Sequence, residues 1–146
     1  MSPLFKLFLN ASVFLFRATG GKIGSSMFGG NVLLLTTRGS KTGKERTVPV
    51  MYFYDGPSRV VIASAGGSPV HPAWYKNLER HPNVTVEIKG RRYPARAAVA
   101  SGSERARIWN QVVSEQPRFA DYVKKAKGRE FPVVVLNEVD ADTRPC

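Results

Sequence analysis

LLLTTRGSKTGKERTVPVMYFY, residues 33–54, is two apolar, β-prone runs joined by a short cationic loop. Arg38, Lys41, Lys44 and Arg46 place four cations within nine residues, with Gly39, Gly43, Ser40 and Thr42 between them. A hairpin needs only turn residues at such a position. The surplus of cations, hydroxyls and flexible backbone suits a phosphate or several carboxylates held without a metal. A solvated basic hairpin is the competing reading.

The Walker A loop does not fit. Three residues separate Gly39 from Gly43 where that motif needs four, Glu45 stands in place of the magnesium-binding hydroxyl, and a strand follows instead of a helix. Gly66-Gly67 after a strand lacks the spacing of a dinucleotide fingerprint.

Working outward, NVLLLTT (31–37), TVPVMYFY (47–54) and RVVIASA (59–65) read as three strands. Pro49 asks for an edge position or a bulge. Pro72 opens a short helix that ends before Pro82, and NVTVEIKG with RRYPARAAVA forms a hairpin turning near Gly90. Ser101 and Glu104 have the spacing of a capping box for a helix carrying Ile108, Trp109, Val112 and Val113. After Pro117 a further helix groups Phe119, Tyr122, Val123 and Ala126, and FPVVVLNEV (131–139) is the last strand. About six strands with hairpin-like links and four helices predict an α+β, mainly β domain: an antiparallel barrel or curved sheet with added helices.

The 146 residues suit one domain, and 42% hydrophobic content is that of a folded protein. A formal charge of +11 favours anionic surroundings: nucleic acid, a membrane surface or a charged ligand. Cys146 is the single cysteine, which forbids an internal disulfide and fits a reducing cytoplasm. With only His71 and His81 beside it, no metal-ligand cluster is expected. Residues 4–16, LFKLFLNASVFLF, are apolar with Lys6 and Asn10 on one narrow stripe, and are shorter than the ~18–20 residues of a spanning helix. They form either a helix packed on the protein or one lying on the inner face of the plasma membrane.

A second cluster is SAGGSPVHPAWYKN, residues 64–77. Glycines admit a flat ring, free amides can bond its oxygens, and Trp74 offers an apolar wall. The same Trp74 and Leu78 would equally serve as the core stripe of a short helix. Trp109, Phe119, Tyr122 and Tyr54 are a core signal first, with a tyrosine hydroxyl available as proton donor or substrate clamp. No serine has a clear His/Asp partner, so any redox or transfer chemistry would come from an organic cofactor.

The basic loop and the 64–77 segment, in this order, resemble the deazaflavin-dependent nitroreductase and quinone reductase family, actinobacterial enzymes that use coenzyme F420. The resemblance runs from FRATGGKIG through both clusters and HPNVTVEIKG to PVVVL. It implies an FMN-binding-like split β-barrel, with residues 1–30 as apolar helix and Gly-rich connector and 31–146 as the deazaflavin-binding domain. It implies hydride transfer from reduced F420 to an electron-poor acceptor such as a quinone or nitro-aromatic. The cofactor's phospholactyl-polyglutamate tail would lie on Ser40, Lys41, Thr42 and Arg46. Thr47, Val48, Pro49, Val50 and Met51 would run beside the ring; Ile62, Ala63, Ser64 and Ala65 would line it; Ala73, Trp74, Tyr75, Lys76 and Asn77 would close the other side. Ser64 and Tyr122 match catalytic positions, and Met51, Phe119 and Tyr122 match the substrate side. Met51 and Phe119 stand where quinone-reducing members carry aromatic hydroxyls, and Ala65 where a lysine can occur. Two alternatives remain: an FMN- or haem-binding split barrel, and a non-catalytic binder of nucleic acid or anionic lipid using Lys89, Arg91, Arg92 and Arg96. The second leaves the Trp74-Tyr75 helix unexplained, and nucleic acid is not expected as a partner.

Overall fold

The structure, a computed structural model, describes residues 31–139. The expected helix at 4–16, the Gly-rich connector and the boundary at residue 30 lie outside the described residues. Six strands are present: β1 (Val32–Arg38), β2 (Glu45–Asp55), β3 (Ser58–Ile62), β4 (Asn83–Ile88), β5 (Arg91–Val99) and β6 (Val133–Glu138). They pair antiparallel in the order β1-β2-β3-β6-β5-β4, and β4 returns to β1 through Leu35↔Val86, closing a barrel. Three helices, α1 (Ala73–Arg80), α2 (Gly102–Glu115) and α3 (Arg118–Lys125), and a one-turn 3-10 segment at Ala65–Gly67 complete the described chain.

Period-two alternation sorts the strand side chains into two cores. Leu33, Leu35, Tyr52, Val61, Val84, Val86, Tyr93, Val134 and Leu136 fill the barrel, joined by Tyr75 and Leu78 of α1. Phe53, Val60, Ile62, Val133 and Val135 face outward and pack on Ile108 and Val112 of α2 and Phe119 of α3. β1 is buried along both faces from Val32 to Thr37, which explains its unbroken apolar run. Between β4 and β5, Lys89 (φ 47°) and Gly90 (φ 83°) are both left-handed, as a two-residue type I′ hairpin requires.

The boundaries depart from the sequence reading in two instructive places. β3 stops at Ile62, three residues early, because the chain turns out of the sheet at Ser64. Ser101 is the N-cap of α2, but its side chain makes no capping bond. Gly102, at φ +59°, turns the chain at the first helical residue and breaks the geometry the capping box needs.

Candidate functional site

The loop between β1 and β2 is a tight turn built by its glycines. Gly39 N–H donates to the Lys44 carbonyl at 2.8 Å, and Gly43 N–H donates to the Gly39 carbonyl at 2.9 Å. A Cβ at Gly39 would lie 3.0 Å from Thr42 Oγ1 and 3.1 Å from the Lys44 carbonyl. Closing the loop on itself turns its cations outward: Arg38, Lys41, Lys44 and Arg46 are all exposed, as is Thr42, while Ser40 is half-buried. The ion pairs among the described residues lie elsewhere: Arg91 with Glu138, Arg105 with Glu130, Arg107 with Asp55. Glu45 opposes Arg38 in the ladder without pairing to it. Four loop cations against the single carboxylate of Glu45 leave a net positive potential at this end of the barrel.

Asn77 joins this loop to α1. Its Oδ1 accepts the Ser40 N–H at 3.0 Å and its Nδ2 donates to Thr37 Oγ1 at 3.1 Å. Asn77 is buried, so its amide is committed to positioning the loop. Around it, Trp74 is half-buried against the barrel core, Tyr75 is buried with its hydroxyl donating to Glu79 Oε2 at 3.2 Å, and Ala73 and Lys76 are exposed. Burial, then the Glu79 charge, holds the Tyr75 phenol above its usual range.

β2 is shared between two neighbours. Its residues 45–51 pair with β1, and its ladder with β3 begins only at Tyr52↔Val61. Thr47, Val48, Pro49, Val50 and Met51 thus have no strand on their second edge among the described residues, and Pro49, with no N–H to offer, interrupts no described ladder there. Beyond Val61 the chain departs through Ile62, Ala63 and Ser64 into the 3-10 turn. The β2–β3 ladder thus ends where the chain leaves β3 for the 63–65 turn, and the stretch between β2 and that turn is a split in the strand pairing of the otherwise closed barrel. Ile62 and Ala63 bury their side chains in the two cores, and the Ala63 N–H donates to the Pro132 carbonyl at 3.0 Å. Ser64 is buried, its Oγ has no hydrogen-bond partner among the described residues, and Ala65 is exposed with φ +50°.

The turn is held by a residue that sequence reading did not single out. Arg129 donates from Nε to the Ser68 carbonyl (2.9 Å), from Nη1 to the Ala63 carbonyl (3.0 Å) and from Nη2 to the Ser64 carbonyl (2.6 Å). Nη1 also lies 2.7 Å from His71 Nδ1. A guanidinium only donates, so Nδ1 accepts and the imidazole hydrogen resides on Nε2. A single arginine ahead of the last strand carries no pattern that could have announced this role.

Among the residues expected on the substrate side, Phe119 is buried edge-on between Phe53 (5.7 Å) and Tyr122 (5.4 Å). Met51 and Tyr122 are half-buried at the margin of the same cluster. The Tyr122 hydroxyl has no partner among the described residues. Gly67, at φ +89°, brings α3 down onto the turn, since a Cβ there would stand 3.0 Å from the Tyr122 carbonyl. Tyr54 is elsewhere, exposed beneath the Arg59 guanidinium at 4.5 Å, and Arg91 is paired with Glu138. Among the described residues no group of three or more His, Cys, Asp or Glu comes together, and no helix is long and apolar enough to cross a membrane.

Known proteins are similar to this chain in sequence and fold. The chain is 36% identical over 127 residues to an F420H(2)-dependent quinone reductase of Mycobacterium tuberculosis, covering 84% of each chain. A solved F420-H2 dependent reductase superposes with a TM-score of 0.66 at 36% identity, covering 73% of this chain and 93% of that one. The haem storage protein HutZ of Vibrio cholerae, at 14% identity, TM-score 0.53 and coverage of 91% and 92%, shares the fold alone. The model of the F420H(2)-dependent quinone reductases matches residues 9–138, nearly the whole chain, and this protein belongs to that family.

Proposed function

We propose that the split between β2 and the 63–65 turn holds the deazaflavin ring of F420, and that the 40–46 loop holds the anionic tail. The observation that carries the reading is that the exposed cations of that loop form no salt bridge with a described carboxylate and lie at the end of a strand edge that no described strand covers. The residues fit the group. A polyanionic tail matches several cations, the small exposed Ala65 leaves room beside a ring, and Trp74 with Val50 offers apolar surface.

In this reading Ser40, Lys41, Thr42 and Arg46 bind the tail, and Asn77 holds the loop in place for them. Thr47–Met51 and the 63–65 backbone orient the ring, flanked by Ala73, Trp74, Tyr75 and Lys76. When bound, the reduced cofactor supplies a hydride to a quinone or another electron-poor acceptor. The acceptor lies toward Met51 and Tyr122, with Phe119 as the packed floor beneath them. Ser64 Oγ and the Tyr122 hydroxyl are free to donate hydrogen bonds, which is how this chain would steady the acceptor and assist proton delivery. Residues 4–16 would rest the protein on the cytoplasmic face of the membrane, where a lipid-soluble quinone is met.

Tryptophan quenching on titration with F420 and, separately, with FMN tests the reading. Tight F420 binding with weak FMN binding is expected, because FMN has one phosphate and no polyglutamate. Preference for FMN would remove the tail-binding role of the loop.

A further inference from the structure

We propose that Arg129 is a positioning residue that sets Ser64 and Tyr122 relative to one another, so that the two sides of the split stay in register. The inference rests on the functional reading above and extends it to a residue outside the two motifs.

Ser64 and Tyr122 sit on segments that share no strand. Ser64 begins the turn after β3, and Tyr122 lies in α3. Two contacts bring these segments together. The first is steric: the bare Cα of Gly67 lets the backbone of α3 at Tyr122 rest on the turn. The second is Arg129. After α3 the chain reverses through Lys127 (φ 53°) and Gly128 (φ 87°), and Arg129 N–H donates to the Ala126 carbonyl at 3.1 Å. The reversal aims the side chain back at the turn, where the guanidinium reaches the carbonyls of Ala63, Ser64 and Ser68 and the ring of His71. Its cationic plane also lies 4.7 Å from the Phe131 ring centroid.

The acceptors around Arg129 are neutral, and no ion pair among the described residues includes it. A surface ion pair would be forgiving of geometry. Three carbonyls and an imidazole nitrogen spread around one planar fork are not, because each donor direction is fixed. Lysine offers a single ammonium centre and cannot span them. Through the Ser64 carbonyl the fork fixes the residue whose hydroxyl bonds no described group. Through residues 126–129 it fixes the end of the helix that carries Tyr122.

The test uses the full chain with Arg129→Lys and Arg129→Gln. In cofactor-free protein, amide hydrogen exchange at residues 64–68 is expected to quicken at least tenfold. Turnover with menadione at saturating F420, measured well below the melting temperature, is expected to fall at least tenfold, while F420 affinity changes less than threefold. Unchanged exchange, or unchanged turnover in a variant that only melts earlier, would overturn the proposal. So would lost F420 affinity with retained turnover. If neither variant folds, 15N NMR of the wild-type Arg129 side chain decides: separate, slowly exchanging Nη signals support a locked fork, and one averaged signal refutes it. Wild-type protein that fails to bind F420 would sink the functional reading instead, and the cofactor-free exchange and NMR data would still report on the Arg129 clamp.

Discussion

Asn77 Oδ1 accepts the backbone N–H of Ser40 at 3.0 Å across a separation of 37 residues, and the same amide reaches Thr37 at 3.1 Å. One buried side chain therefore welds the basic loop to α1, the two halves of the proposed site. Asn77→Leu would leave the Ser40 amide and the Thr37 hydroxyl unpaired in a buried place, at a cost of about 1–3 kcal/mol each. We expect Asn77→Leu to lose roughly 2–4 kcal/mol in urea denaturation and to weaken F420 binding, since the loop loses its anchor. Thr37→Val, which removes one bond only, is expected to cost about 1 kcal/mol and leave binding nearly intact. Equal F420 affinity in wild type and Asn77→Leu would show that the loop needs no anchor.

Charge in the loop acts on the ligand and not on the fold, because Lys41 and Arg46 are exposed and pair with no described acid. Lys41→Ala and Arg46→Ala should therefore leave the melting temperature within a degree or two. Each should weaken F420 binding about tenfold, in keeping with one charge-assisted contact. The loss should grow with the number of glutamates in the tail and shrink at high salt, where exposed charges are screened. A loss independent of tail length would place these cations on the phosphate alone.

Much of this architecture was legible in residues 33–54. Alternating and continuous apolar runs gave the strands, the glycines gave the turn, and the unpaired cations pointed outward as their number implied. The two-motif pattern identified the family before any coordinates. What the sequence concealed was long-range: the Ser64 carbonyl and the Arg129 guanidinium are 65 residues apart, and neither backbone carbonyls nor a single arginine leave a spacing signature. Asn77 was expected among the cofactor contacts, and its burial between Thr37 and Ser40 gives it a positioning role that helix periodicity could not reveal. The capping box at Ser101 was a pattern without its geometry, since the positive φ of Gly102 depends on how α2 leaves the barrel.

Phe119 and Tyr122, three residues apart on α3, should respond oppositely to exchange of a hydroxyl. Phe119 is 5% exposed and wedged between two rings. Phe119→Tyr would bury a hydroxyl with no partner in view and is expected to destabilise by about 1–3 kcal/mol without improving turnover. Tyr122→Phe removes a hydroxyl that no described residue engages, so stability should hold within about 0.5 kcal/mol. Turnover with menadione should drop by roughly ten- to a hundredfold if that hydroxyl assists the acceptor. Full activity in Tyr122→Phe would leave proton delivery to Ser64 or to solvent.

Acid should loosen the end of the barrel farthest from the basic loop. Asp55, at the β2–β3 turn, receives both Arg107 terminal nitrogens, at 3.0 and 3.3 Å. Those bonds hold its carboxyl below the ordinary value of 3.8, outweighing partial burial. A folded-state value below the unfolded one means the contribution is fully present above the unfolded pKa and vanishes as pH falls through the folded one. Asp55→Asn should therefore melt earlier than wild type at pH 6, and the gap should narrow as pH falls below 3.8 and through the lower folded-state value. Because the pair is solvent-exposed, 0.5 M salt should narrow the gap at pH 6 as well. A gap that does not narrow at all as the protein is acidified would mean that Asp55 stabilises the turn through its backbone geometry and not through its charge.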